Sequence, residues 1–135
     1  MRKSFLIFLL SLSSCHTMNI DVIKTGRYFS PKKYTDIDLY PNSKSVKRQF
    51  GGIAIFKSDR FDCSVEKQES LLLKAKKMAA DIGANGMIYY FDYGEKDPYA
   101  KPEEKCFLSA VAIKYLDDEV EEFLKNNQPS DTVSQ

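Results

Sequence analysis

Few residues of this chain have the chemistry for a reactive site. It holds three cysteines, Cys15, Cys63 and Cys106, and one histidine, His16. A thiol can act as a nucleophile, a metal ligand or half of a disulfide. Two acidic pairs, Asp36 with Asp38 and Glu103 with Glu104, have the side-chain type for general acid–base work. Neither pair has a histidine, a nucleophile or a metal ligand beside it in the sequence. Acid–base chemistry needs such a partner within hydrogen-bond reach. No catalytic residue is assigned, and a non-enzymatic protein is expected.

Cys15 ends a distinctive N-terminal stretch. Arg2 and Lys3 are followed by the apolar run Phe5-Leu6-Ile7-Phe8-Leu9-Leu10, completed by Leu12. The run is too short to cross a bilayer, which takes about 20 apolar residues. It fits a cleaved export signal over residues 1–14. Leu12-Ser13-Ser14-Cys15 resembles the lipobox of bacterial lipoproteins: an aliphatic residue, two small ones and a cysteine. That resemblance implies that the Cys15 thiol takes a diacylglycerol as a thioether. It also implies cleavage before Cys15 and fatty acylation, such as palmitoylation, of the new amino group. Each buried methylene is worth roughly 0.8 kcal/mol, and two or more chains anchor stably. His16, not Asp, follows Cys15, which favours the outer membrane with the domain facing the periplasm. A lone histidine beside the anchor reads as a linker residue. The alternative is a plain signal peptide in which Cys15 is incidental.

Residues 1–14 carry two of the 20 basic residues and none of the 19 acidic ones, so the mature chain is close to neutral. That balance gives no reason to expect nucleic acid as a partner. With Cys15 lipidated, Cys63 and Cys106 remain. In an exported protein two cysteines are most simply a disulfide; free thiols in a reducing compartment are the alternative. Two cysteines and one distant histidine do not complete a four-ligand metal site. No metal or other cofactor is expected.

Residues 15–34 show no sustained period and read as a lipid-anchored tether, within which Ile20, Val22 and Ile23 could form a short strand or dock. A single domain is expected over residues 35–125. Thr35 to Tyr40 alternates polar and apolar residues, a half-buried strand pattern. Gln49 to Lys57 reads as a second strand, with Gly51-Gly52 as a bulge or a close backbone approach. Ser64 suits the N-cap of the main helix. Its apolar stripe runs through Leu71 or Leu72, Ala75, Met78 or Ala79, and Ile82, and Gly83 suits its C-terminal cap. The lysines outside that stripe read as a solvated face. Asn85-Gly86 reads as a turn, and Met87 to Tyr93 as a central strand. The aromatics of that strand fit core packing or, alternatively, a stacking platform for a ligand. Residues 94–105 read as turns and Phe107 to Tyr115 as the last strand, whose small Ser109, Ala110 and Ala112 let the helix approach. Asp117 to Lys125 reads as a short amphipathic helix with Val120, Phe123 and Leu124 inward, followed by a disordered tail over residues 126–135. The fold class is α+β: a small, mostly antiparallel sheet of about four strands, one main helix on one face and a short C-terminal helix.

Gly51 to Tyr115 carries a second resemblance. Gly51-Gly52-Ile53, the loop with Cys63, Lys74-Ala75-Lys76-Lys77-Met78-Ala79, Gly83-Ala84-Asn85-Gly86-Met87-Ile88 and Cys106 to Ala112 resemble the RcsF-type outer-membrane lipoproteins. More distantly the layout is similar to the YbjQ-type domains. The first family implies an envelope stress sensor and a protein partner, either an outer-membrane barrel or a signalling regulator. It also implies a bridge between the loop after the second strand and the start of the last, where Cys63 and Cys106 stand. The family's second bridge would fall near Asp92 and Ala112, so it is absent here, and the tether is shorter than the family's. The second family implies a homo-oligomer that binds a small ligand, with the anchor only setting location.

Overall fold

The computed structural model describes residues 18–94, 98, 99 and 101–128. Five strands form one sheet: β1 (Ile20–Lys24), β2 (Asp38–Tyr40), β3 (Phe50–Ser58), β4 (Gly86–Asp92) and β5 (Phe107–Tyr115). Their spatial order is β1-β3-β5-β4-β2. All neighbours are antiparallel except β2, which runs parallel to β4. Helix α1 (Val65–Asp81) links β3 to β4, and α2 (Leu116–Asn126) follows β5 directly. The α+β class holds, with a fifth strand added.

The core lies between α1 and one face of the sheet. Side chains alternate along a strand, so Leu108, Ala110 and Ala112 share a face with Ala54, Phe56 and Met87 across the registered pairs. All six are buried, as are Leu71, Ala75, Ala79 and Ala80 of α1. Alanines face alanines there, which lets the helix sit close to the sheet. The expected small-residue approach is observed.

Gly83 ends α1 with φ +75°. Its N–H donates to the Ala80 carbonyl (3.0 Å), and the Ala84 N–H donates to that of Ala79 (3.0 Å). This is the paired bonding of a Schellman cap. A Cβ on Gly83 would lie 2.6 Å from the Phe29 carbonyl carbon. The position is closed to side chains by both conformation and space.

Several expectations need correction. The tether expected over residues 15–34 is part of the domain from its described start. β1 pairs with β3 from Ile20↔Ser58 to Lys24↔Ala54. Beyond it the Phe29 and Lys32 N–H groups donate to the last carbonyls of α1, at Ile82 and Ala80 (2.9 Å each). This segment is fastened mainly through its backbone, which no side-chain period reports. Only Asp38–Tyr40 of the strand expected over 35–40 are paired in the sheet; Tyr34–Asp36 form a 3-10 turn. β4 is an inner strand as expected, flanked by β5 and β2, and β5 lies at the middle of the sheet. Gly51-Gly52 behaves as expected: the register shifts between Gly52 and Ala54, and the freed Ile53 carbonyl accepts from Thr25 and Gly26 (3.1 Å each).

Candidate functional site

Cys15 and His16 lie outside the described residues, as do residues 129–135 of the expected tail. Cys63 and Cys106 form a disulfide, with their Cα atoms 5.1 Å apart. Two backbone bonds between Phe61 and Cys106 (2.8 and 2.9 Å) flank it. Cys106 is fully buried, and Cys63 is half-buried with φ +65°. The bridge staples the loop before α1 to the start of β5. Ser64 occupies the N-cap of α1 without a side-chain capping bond. Asp62 accepts from the Ser64 N–H and from Lys67 Nζ instead. Lys67, then the Ser64 N–H, holds that carboxyl below its ordinary range.

The paired carboxylates assemble no reactive centre. Asp36 belongs to the 3-10 turn, whereas Asp38 lies on β2 and accepts from the Tyr115 hydroxyl (2.8 Å). The Tyr115 hydroxyl also bonds that of Tyr40, and the Arg48 guanidinium stacks 4.0 Å above its ring. Burial, then the bonds to Tyr40 and Asp38, pushes the Tyr115 phenol up, so it stays protonated and works as a fixed donor. Glu103 and Glu104 sit exposed in a 3-10 turn (Pro102–Glu104). Among the described residues no group of three or more His, Cys, Asp or Glu side chains is placed to hold a metal. No described helix is long and apolar enough to cross a membrane.

Among the described residues the buried charge is Lys114, 1% exposed near the end of β5. Its ammonium donates to the Gly83 carbonyl and to Glu122 Oε2 (3.1 Å each) and lies 4.5 Å from the Phe29 ring centroid. The other oxygen of Glu122 accepts from the Ser30 N–H (3.0 Å). The Ser30 N–H, then Lys114, holds the Glu122 carboxyl down at about 2. Asn85 is buried, not an exposed turn residue. Its carbonyl oxygen accepts from the Tyr115 N–H (2.9 Å), and its amide donates to Asp118 (2.8 Å). Arg48 reaches Asp117 and Asp118 from the other side.

These contacts turn α2 over relative to expectation. Glu122 and Asp118 face the domain, while Leu116, Val120, Phe123 and Leu124 are 40–59% exposed. The physical reason is Lys114: an ammonium out of water requires an anionic partner, and α2 supplies it. Lys114 was a readable signal. It shares parity with Ala110 and Ala112, so alternation alone places it on the helix-facing side.

The other face of the sheet is covered by neither helix. One registered row crosses all five strands: Ile23↔Ile55, Ile55↔Val111, Val111↔Ile88, Ile88↔Tyr40. Its members are half-buried, rising to 61% exposed at Ile23, and Tyr90 beside it is 55% exposed. The row forms an apolar stripe across that face.

The lysines of α1 are largely taken up within the domain. Lys67 pairs with Asp62, Lys74 donates to the Met18 carbonyl, and Lys77 lies over the Tyr34 ring.

Fold and surface together define a small α+β domain with one sheet face covered by a helix and the other covered by neither helix, its Ile113 and Tyr115 end closed. The crystal structure of a Francisella virulence factor FvfA, in an orthorhombic form, is similar to it. The two chains are 18% identical with a TM-score of 0.53, over 71% of this chain and 97% of that one. At that identity the likeness extends to the fold alone. No protein-family model matches the chain, and no curated protein matches it.

Proposed function

We propose that this chain is a lipid-anchored, non-enzymatic interaction protein of the bacterial envelope, acting as a stress sensor. The observation that carries this reading is the apolar row across the open sheet face. It offers a partner contact area, whereas the buried ionisable groups are already engaged in structural bonds. Lipidation at Cys15 sets the location. Four residues separate Cys15 from the first residue of β1, a reach of at most about 18 Å. The domain is therefore held close to its membrane, and its partner lies in or at that surface.

Metabolic labelling with an alkyne fatty acid tests the anchor. The full-length protein takes up label and partitions into membranes. Cys15→Ala takes up none. Label that survives Cys15→Ala contradicts the reading.

A further inference from the structure

We propose that the cleft between α2 and residues 30–32 binds a small zwitterion, an amino acid or a short peptide, through Lys32 and Glu121. The cleft has a volume of about 420 Å³. Small-ligand sites run from roughly 300 to 1,000 Å³. The site is separate from the open sheet face and does not depend on the anchor.

Most charges that line the cleft are already committed. Glu122 uses both oxygens, one on the Ser30 N–H and one on Lys114. Asp118 is held by the Asn85 amide and by Arg48. Lys114 donates to Glu122 and to the Gly83 carbonyl. Lys32 differs. Its backbone N–H donates to the Ala80 carbonyl, but its ammonium has no hydrogen-bond or ion-pair partner among the described residues. The residue is half-buried. Burial, then the Lys114 ammonium, holds Lys32 below the ordinary lysine range; Asp118, Glu122 and Asp36 act the other way and do not offset this. An ammonium withdrawn from water beside a like charge is stabilised by an added carboxylate. Glu121 and Lys125, one turn apart on α2, also line the cleft without such a partner.

Charge balance selects the ligand. Lys32, Lys114 and Lys125 stand against Asp118, Glu121 and Glu122. These charges sum to zero, so the cleft draws neither a net anion nor a net cation. Both signs are nonetheless present in uncommitted form. A neutral ligand that carries both charges meets them: its carboxylate pairs with Lys32 and its ammonium with Glu121.

Isothermal titration calorimetry of the full-length protein in detergent micelles tests the site. The probes are L-alanine and L-alanyl-L-alanine, each with its N-acetyl form, which keeps only the carboxylate, and its amide, which keeps only the ammonium. At least one free form binds, and its two blocked forms bind about tenfold more weakly. Lys32→Met weakens the free form about tenfold. Its melting temperature is unchanged or raised, because no bond of the fold uses that ammonium. Glu121→Gln, at an exposed position, weakens the free form and leaves the N-acetyl form unchanged. Absence of binding by both free forms overturns the proposal. So does equal binding of free and blocked forms, or binding that survives both variants. An N-acetyl form that matches the free one overturns it in favour of a plain anion site.

Discussion

Reduction of the Cys63–Cys106 disulfide lowers the unfolding free energy of the domain by about 3 kcal/mol. The bridge closes a 43-residue loop, for which the chain-entropy account gives about 4 kcal/mol. About 1 kcal/mol is set against that, because Cys63 is a non-glycine residue held at φ +65° and relaxes once released. The loop so closed contains all of α1 and β4, so the constraint acts on the centre of the fold. Urea denaturation of the oxidised and dithiothreitol-reduced protein, and of Cys63→Ser with Cys106→Ser, measures the loss. The reduced protein and the double variant unfold at matching, lower urea. A difference below about 0.5 kcal/mol would show that the flanking Phe61–Cys106 backbone pair holds the loop without the bridge.

Removal of the Glu122 carboxylate is the second large effect. Glu122→Ala leaves the buried Lys114 ammonium with only the Gly83 carbonyl and the Phe29 ring. Breaking a buried ion pair from one side costs about 3–5 kcal/mol, and the 23% exposure of the Glu122 side chain places this case near or below the lower figure. The single variant loses about 2–3 kcal/mol. Adding Lys114→Met removes the stranded charge and restores stability to within about 1 kcal/mol of the parent. A double-mutant cycle in urea reads this non-additivity; two additive losses would contradict a coupled pair.

The same carboxylate has a pH signature. Its folded pKa, about 2, is depressed from 4.5, so its contribution is fully present above about pH 4.5. The contribution is lost as pH falls from there toward 2. Asp62 and Asp117 are depressed too, so the wild-type curve alone does not isolate Glu122. The difference between wild type and Glu122→Gln does: it narrows on acidification through that window.

The strands and helices with a strong side-chain period were legible. α1 and β5 fell where the stripe of Leu71, Ala75 and Ala79 and the alternation through Leu108, Ala110 and Ala112 placed them. Counting cysteines, and then the family resemblance, pointed to the bridge that the structure forms. β1 was legible only as an option, because it is an edge strand with four of its five residues exposed. α2 was placed correctly along the chain and turned over in space. An apolar stripe normally faces the core, but here the partner across from α2 is a buried lysine, and a buried charge outranks a half-buried leucine. Asn85 misled for a related reason. Asn-Gly is a common turn pair, whereas this asparagine uses both ends of its amide to join β5 to α2.

In-cell photo-crosslinking from the open sheet face decides whether that face meets an envelope partner. p-Benzoylphenylalanine at Tyr90, a ring already 55% exposed, probes that face. The same group at Leu73, on the outer side of α1, serves as the control. In the native bacterium, with Cys15 intact, the account predicts that Tyr90 captures a membrane-resident envelope protein, an outer-membrane barrel or a signalling regulator. The yield changes under envelope stress and is lost with Cys15→Ala. Capture only of a second copy of this chain, or the same capture from Leu73 and in Cys15→Ala, would contradict it.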